Sequence, residues 1–119
     1  MQGQYDEPLN DTGLKQAQAA GQALKNVIFH KAHSSDQKRA HTTCQLVLEG
    51  NDKSKIMSNS DILTNQLLRE RSFGIYENVP VDDYKKVADA ADMDMYEYVP
   101  EKGESREDVA VRAKNFLMV

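Results

Sequence analysis

The segment Leu67-Leu68-Arg69-Glu70-Arg71-Ser72-Phe73-Gly74 sets one carboxylate between two guanidiniums, after an apolar pair and before a glycine. A carboxylate in these surroundings is either the centre of a structural ion pair or an acid positioned to meet a substrate phosphate. Nothing within the segment separates these two roles. The two roles can be distinguished only by the other residues that share a pocket with Glu70.

The composition is typical of one folded domain or part of one. The chain has 119 residues, of which 39% are hydrophobic and 29% are charged. Leu, Ile, Val and Phe together number 25, close to the roughly one-fifth of residues below which a hydrophobic core becomes doubtful. We therefore expect residues 1–119 to form a single, partial domain with a thin core.

Charge and cysteine content exclude several kinds of partner. A net charge of -4 and a pI near 5.3 argue against binding to nucleic acid or a membrane surface, because both repel an acidic body. The one cysteine, Cys44, excludes an intrachain disulfide and fits a reducing compartment. No apolar run approaches the roughly 20 residues of a membrane span, and the first residues do not resemble a signal peptide. We expect a cytoplasmic protein without nucleic-acid or membrane partners.

Apolar spacing and capping residues predict an α/β layer structure. The polar segment Asn10-Asp11-Thr12 caps a first helix, the turn Ser34-Ser35-Asp36 caps a second, and Ser105 with Asp108 forms a capping box before a last helix. The predicted elements are helix Thr12–Asn26, strand Val27–His33, helix Asp36–Glu49, a polar connection over Asn51–Ser60, a short strand within Asp61–Thr64, helix Val81–Ala91 and a helix beginning after Ser105.

Arg39 is a candidate anion ligand. The sequence Ser34-Ser35-Asp36-Gln37-Lys38-Arg39 places it in the first turn of a helix that follows a strand. Free backbone N–H groups there favour an anion, and a guanidinium adds bidentate contacts to phosphate oxygens. The pattern alone is more often a surface or salt-bridge arginine, so both interpretations stay open.

The histidines and the cysteine do not indicate a metal site. His33 is three positions after His30, which places the two on opposite faces of a strand, and His41 belongs to the next element. Cys44 follows two threonines in a helix and is expected to be a packed thiol rather than a nucleophile. We expect no metal.

Taken together, these pieces resemble the histidine phosphatase (phosphoglycerate mutase-like) superfamily in order and spacing. Within it, Asp6-Glu7-Pro8-Leu9 and the Ser-Ser-Asp turn are most similar to the fructose-2,6-bisphosphatases. The segments that carry the resemblance are Gln2 to Leu9, Thr12 to Ala17, Ser34 to Asp36 with Arg39, Leu68 to Arg71 with Gly74, and Gly103-Glu104-Ser105.

The resemblance implies a three-layer α/β sandwich and catalysis through a transiently phosphorylated histidine. It implies that Arg39 clamps the phosphate and that Glu70 is the catalytic acid and later the base. Gln2 and Gly3 would form part of the substrate rim, and Gly103 and Glu104 would lie at the pocket edge. The implied substrate is a small phosphorylated sugar or glycolytic metabolite, such as fructose 2,6-bisphosphate, and no cofactor is implied.

The chain departs from the family pattern at both ends. It contains no Arg-His-Gly motif, and the segment that carries the family's second histidine is also missing. We therefore expect an incomplete sandwich without its central strands, no phosphatase turnover from these 119 residues alone, and aggregation through the exposed edge of Val27–His33. The alternatives are a phosphoglycerate mutase, a broad-specificity phosphatase, or a truncated, non-catalytic isoform that binds a phosphometabolite or a partner protein.

Overall fold

The computed structural model describes residues 2–54 and 61–118. Helices and strands alternate as far as Thr64, as predicted for an α/β protein, and the described residues after it form helices and 3-10 turns. The main elements are α1 (Asp11–Ala23), β1 (Ala32–Ser34), α2 (Lys38–Glu49), β2 (Ile62–Thr64), α3 (Val81–Ala90) and α4 (Arg106–Leu117), with short 3-10 turns at Gln66–Leu68 and Gly74–Tyr76.

The chain divides into two compact units. Residues 6–66 form one, called here the Arg39 unit, and residues 2–5 with 67–118 form the other, called the Glu70 unit. Each contains residues that the sequence assigns to the site, and each is described by itself. That residues 1–119 form a single domain stays a prediction.

Helices α1 and α2 pack through glycines in the Arg39 unit. Asn10 caps α1 by accepting a hydrogen bond from the Gly13 N–H at 2.8 Å, as the sequence predicts. A Cβ added to Gly21 would lie 2.8 Å from the Leu46 carbonyl oxygen, and one added to Gly50 would lie 2.8 Å from the Gly21 carbonyl carbon. The two backbones therefore approach too closely for any larger residue at these positions.

Strand β1 begins at Ala32, so the predicted strand Val27–His33 is wrong over its first five residues. Side chains satisfy the backbone of that stretch instead of a strand partner. Asn51 Nδ2 donates to the carbonyls of Leu24 and Val27 at 2.8 and 2.7 Å, and the Phe29 N–H donates to Ser54 Oγ at 2.8 Å. His30 consequently lies outside the strand.

Strands β1 and β2 pair in parallel, with Ala32 opposite Ile62, His33 opposite Leu63 and Ser34 opposite Thr64. This confirms the short strand predicted within Asp61–Thr64. Helix α2 lies between the two strands in the chain, as expected for a βαβ unit. Residues 55–60 of the predicted polar connection lie outside the described residues.

An aromatic cluster forms the core of the Glu70 unit. Tyr84 of α3 is fully buried, and the rings of Phe73, Tyr76 and Tyr98 surround it edge to face at centroid distances of 5.5, 5.6 and 5.9 Å. Burial raises the pKa of the Tyr84 phenol. Such edge-to-face contacts stabilise a core by more than the burial of apolar area alone. Here they hold Phe73 and Tyr76, which lie on either side of Gly74.

The last helix begins as predicted. Ser105 Oγ accepts from the Asp108 N–H at 3.0 Å, and Asp108 Oδ2 accepts from the Ser105 N–H at 2.8 Å. This confirms the capping box. The hydrogen bond from the Ser105 N–H lowers the pKa of the Asp108 carboxyl. The capping box fixes the start of α4 next to Gly103 and Glu104.

Candidate active site

Arg39 lies near the point where β1 ends and α2 begins. The Asn65 N–H donates to the Ser34 carbonyl at 3.0 Å, which continues the pairing one residue beyond the two strands. The carboxyl edge of parallel strands is where α/β proteins bind their ligands. Arg39 is the second residue of α2 and is half-buried, so its position fits the predicted anion site.

The cap of α2 differs from the prediction, which assigned it to Ser34-Ser35-Asp36. Gln37 is the N-cap, and its side chain makes no capping hydrogen bond. The Lys38 N–H instead donates to Asp6 Oδ1 at 2.8 Å. Ser35 Oγ accepts from the Gln37 N–H at 3.3 Å and so belongs to the turn before the helix. A carboxylate distant in sequence supplies the capping oxygen.

Two hydrogen bonds hold Arg39 on the first turn of α2. Its Nη2 donates to Gln37 Oε1 at 3.4 Å, and its carbonyl accepts from Thr43 Oγ1 at 2.8 Å. Gln37 is only 5% exposed, so it is a fixed neighbour for the guanidinium. The arrangement can present a charged planar donor at a helix N-terminus, which is the chemistry that binds a phosphate.

Glu70 is exposed, but its backbone is anchored. The Glu70 carbonyl accepts from Arg112 Nη2 at 2.9 Å and from Gln4 Nε2 at 3.3 Å. Three residues earlier, the Leu67 carbonyl accepts from Arg112 Nη1 at 2.9 Å. The segment thus offers an exposed carboxylate on a fixed backbone, which a positioned acid requires.

Arg71 joins the central segment to residues 96–104. Its Nε donates to the Glu104 carbonyl at 2.7 Å, and its two terminal nitrogens donate to the carbonyls of Tyr96 and Tyr98 at 2.8 and 2.5 Å. The guanidinium also lies 5.5 Å from the Phe73 ring centroid. One of the two arginines that flank Glu70 therefore binds backbone carbonyls on a neighbouring loop.

Glu104 is the centre of the charged network. Its Oε1 accepts from the Ser72 N–H and Gln4 Nε2, both at 3.0 Å, and from Arg112 Nη2 at 3.1 Å, while Oε2 accepts from Arg112 Nε at 2.8 Å. The side chains of Glu104 and Arg112 are 21% and 15% exposed. The hydrogen bond from Arg112, helped by the one from Ser72, lowers the pKa of the Glu104 carboxyl. Glu104 therefore has a structural role. That it also lies at the edge of a substrate pocket stays a prediction.

Of the two predicted rim residues, Gly3 lies against the segment that carries Glu70. Gly3 has a φ of 51°, and a Cβ there would lie 2.7 Å from the Phe73 ring and 3.0 Å from the Arg71 carbonyl oxygen. Gln2 is exposed, and its carbonyl accepts from the Tyr5 N–H at 2.8 Å. The left-handed backbone and the close approach both explain a glycine at position 3.

Gly103 packs against the central segment from the other side. A Cβ there would lie 2.5 Å from Pro100 Cγ and 3.0 Å from the Ser72 carbonyl oxygen. The same Ser72 carbonyl accepts from the Glu104 N–H at 2.9 Å. The Glu70 unit therefore brings together five of the six predicted site residues: Gln2, Gly3, Glu70, Gly103 and Glu104. The sixth, Arg39, belongs to the other unit.

The sequence analysis missed Arg112, Gln4 and Glu77 as parts of this arrangement. Glu77 Oε1 accepts from the Gln4 N–H at 3.1 Å and from Ser72 Oγ at 3.0 Å. Arg112 carried a signal, because it follows Glu104 by about two helical turns and interrupts an apolar face. Gln4 and Glu77 carried none, since their contacts join residues far apart in sequence.

Surface hollows lie elsewhere in the chain. One of 460 Å³ lies between α1 and α2, and one of 240 Å³ lies beside β1 and is lined by Phe29, His33 and Cys44. Burial raises the pKa of the half-buried Cys44 thiol. That this thiol is packed rather than nucleophilic stays a prediction. Within residues 2–54 and 61–118, no three His, Cys, Asp or Glu side chains cluster to hold a metal ion. No helix of the described chain is both long and apolar enough to cross a membrane.

Comparison with known proteins decides the family. Residues 1–119 match the histidine phosphatase superfamily (branch 1). The chain belongs to this superfamily. The histidine phosphatase chain is 41% identical to fructose-2,6-bisphosphatase TIGAR B of Danio rerio over 118 residues, which cover 98% of this chain and 45% of that protein. It is 39% identical to fructose-2,6-bisphosphatase TIGAR of Mus musculus, over 98% of this chain and 43% of that protein.

Solved structures give the same fold. A phosphoglycerate mutase from Bacillus anthracis matches with a TM-score of 0.84 and 29% identity, over 99% of this chain and 58% of that one. The native mycobacterial glucosyl-3-phosphoglycerate phosphatase Rv2419c matches with a TM-score of 0.81 and 29% identity, over 99% and 54%. The predicted family and its phosphoglycerate mutase-like α/β fold are confirmed. The chain spans less than half the length of the two fructose-2,6-bisphosphatases.

Proposed function

We propose that this chain contributes the acid and a phosphate-binding arginine to a phosphatase that acts on fructose 2,6-bisphosphate or a related phosphorylated sugar. The observation that carries the proposal is the exposed Glu70 on a backbone fixed by Arg112 and Gln4. Similarity to two fructose-2,6-bisphosphatases over 98% of the chain supports the substrate class.

The reaction proceeds in two steps. A histidine nitrogen attacks the phosphorus, the bond from phosphorus to the sugar oxygen breaks, and Glu70 gives its proton to that leaving oxygen. Glu70, now ionised, then takes a proton from a water molecule whose oxygen attacks the phosphohistidine. Inorganic phosphate leaves and the histidine is regenerated. The proposal assigns the nucleophile to an Arg-His-Gly segment, which these 119 residues do not contain.

Arg39 and the other predicted residues have separate tasks. The Arg39 guanidinium neutralises charge on the transferring phosphoryl group, since a planar donor pairs with two of its oxygens. Gln2 and Gly3 border the substrate, and Gly103 and Glu104 shape the pocket edge. Between Asp92 and Lys102 the segment is acidic, and its lysine is the cation available there for a second phosphate.

The test starts with the transcript, sequenced through its 5′ end. An in-frame Arg-His-Gly ahead of Met1 supports the proposal, and the protein purified from that transcript is then expected to release phosphate from fructose 2,6-bisphosphate and to form an acid-labile phosphoprotein. The 119-residue chain alone is the matched control and is expected to show no turnover.

Other outcomes would replace the proposal. Faster interconversion of phosphoglycerates than hydrolysis would make the protein a mutase, and equal rates on unrelated esters would make it a broad-specificity phosphatase. A transcript that begins at Met1, with calorimetric binding of fructose 2,6-bisphosphate but no turnover, would make it a non-catalytic binding protein. Each of these results contradicts the assignment of this chain to a phosphatase specific for a phosphorylated sugar.

A further inference from the structure

The Arg112 guanidinium binds two backbone carbonyls of the segment that carries Glu70. Nη1 donates to the Leu67 carbonyl and Nη2 donates to the Glu70 carbonyl, both at 2.9 Å. Nε and Nη2 also donate to the two Glu104 oxygens, at 2.8 and 3.1 Å. All three nitrogens of the side chain are therefore engaged, in a planar geometry that a lysine cannot reproduce.

The support behind Arg112 is rigid. It lies in α4, whose first turn is fixed by the capping box of Ser105 and Asp108, and its side chain is only 15% exposed. Glu104, which it binds, also accepts the Ser72 N–H at 3.0 Å. Arg112 thus contacts the backbone at Leu67 and Glu70 directly and is linked to Ser72 through Glu104.

The charge balance argues against a direct role in binding substrate. The Glu104 carboxylate neutralises the Arg112 guanidinium at close range, so the pair offers little net attraction to a phosphate. The remaining donors point to backbone carbonyls, which are neutral. The contacts of Arg112 are therefore those of a residue that fixes a backbone.

We propose that Arg112 is a positioning residue that sets where the Glu70 carboxyl stands during proton transfer. This inference rests on the proposed function, in which Glu70 is the acid. Displacing a reacting group by about 1 Å can cost on the order of 100-fold in rate. Loss of Arg112 should therefore lower kcat by about 10- to 100-fold and leave KM within about 2-fold.

A first experiment tests the positioning without any assay of activity. Amide hydrogen exchange is measured by mass spectrometry on the protein purified from the sequenced transcript, in Arg112→Gln, Arg112→Lys and Arg106→Gln. Arg106 is the matched control, because it lies in the same helix and pairs with Glu97 at 2.8 Å on an exposed surface. Both Arg112 variants are expected to exchange about 10-fold faster or more over residues 67–72, since charge-assisted hydrogen bonds are lost. Unchanged exchange there would overturn the inference.

A second experiment links the positioning to catalysis. In a double-mutant cycle, Arg112→Gln is expected to lower kcat about 10- to 100-fold in the unaltered protein and less than 2-fold in Glu70→Gln. Equal factors in both backgrounds would mean that Arg112 only stabilises the fold and would overturn the inference. Arg112→Lys is expected to recover less than half of the lost rate, and Arg106→Gln to change kcat less than 2-fold.

The two experiments separate this inference from the proposed function. If the protein has no phosphatase activity but exchange rises over residues 67–72, the proposed function fails while the fixing of the Glu70 backbone by Arg112 is supported. If activity is present but the cycle is additive, the proposed function holds and the positioning role is wrong.

Discussion

The two units of the chain hold their predicted site residues by different forces. In the Arg39 unit, uncharged backbones approach closely at Gly21 and Gly50, and a short parallel strand pair sets the edge. In the Glu70 unit, the charged side chains of Glu104, Arg112 and Arg71 bind backbone groups around Glu70. The Arg39 unit depends on close packing, and the Glu70 unit depends on charged hydrogen bonds in addition to close packing at Gly74.

This difference predicts which perturbations the Arg39 unit and the Glu70 unit respond to. Close packing responds to added volume and very little to pH, because no group changes its charge. A charged network responds to protonation and to the loss of either partner. Removal of a charge should therefore act on the Glu70 unit, whereas an added methyl group should act on whichever unit contains the substituted glycine.

The largest effect is expected from Gly74→Ala. Gly74 has a φ of 56°, and a Cβ there would lie 2.0 Å from the Glu101 carbonyl oxygen and 2.5 Å from the Gly103 nitrogen. Strain and overlap with backbone together should cost about 3 kcal/mol or more of unfolding free energy. Chemical denaturation measures it, with Gly13→Ala as the control, because the Cβ at that site would meet mainly the flexible Leu9 side chain. Equal midpoints for the two variants would contradict the close approach.

Gly50→Ala tests the packing of the Arg39 unit. Its Cβ would lie 2.8 to 3.0 Å from three backbone atoms of Gly21, so α1 and α2 must move apart. We expect a loss of about 2 kcal/mol and faster amide exchange in α1 and α2. Exchange over residues 67–72 should stay as it was. A change confined to the Glu70 unit would show that the comparison of the units is wrong.

Acid should weaken the Glu70 unit through Glu104. The folded-state pKa of this carboxyl is lowered, so its contribution to stability is present above the ordinary value of about 4.5 and is lost as the pH falls through the folded pKa. At pH 7, Glu104→Gln should cost about 1 to 2 kcal/mol and should flatten the fall in stability below pH 4.5. Denaturation curves recorded from about pH 3 to about pH 7 measure this loss, because that range spans the ordinary pKa of a glutamate.

The control for this pH experiment is Glu107→Gln, an exposed carboxyl at the start of the same helix. It should leave the acid dependence of the Glu70 unit nearly as it was. If Glu104→Gln loses stability in acid as steeply as the unaltered protein, protonation of Glu104 is not what weakens the Glu70 unit.

The smallest effect concerns Cys44. Burial raises the pKa of its thiol, so less thiolate is present at pH 8 than in a free cysteine. Alkylation by iodoacetamide should be several-fold slower than for N-acetylcysteine, followed by intact mass. Denaturant should restore the ordinary rate. A native rate as fast as that of the model thiol would contradict the packed position.

The sequence predicted the helices well because their signals are local. Asn10 and the pair Ser105 and Asp108 cap the helices that they precede in sequence, and apolar spacing indicated the faces that pack. The segment around Glu70 indicated the family only together with the other quoted segments, because their order and spacing are specific in combination. Local chemistry was sufficient for these features.

The failures arose from contacts between residues far apart in sequence. The strand start moved to Ala32 because Asn51 and Ser54 bind the backbone before it, and the cap of α2 comes from Asp6. The role of Arg112 needs the Leu67 and Glu70 carbonyls, more than forty positions away. Neither periodicity nor capping rules report such pairs. Aggregation of the chain by itself stays a prediction.

The most direct measurement is kcat for fructose 2,6-bisphosphate in Glu70→Gln, on the protein purified from the sequenced transcript. If Glu70 is the catalytic acid and base on a backbone held by Arg112 and Gln4, kcat falls by about 10²- to 10⁴-fold while KM stays within about 2-fold. A Glu70→Gln protein that turns over at the unaltered rate would contradict the account.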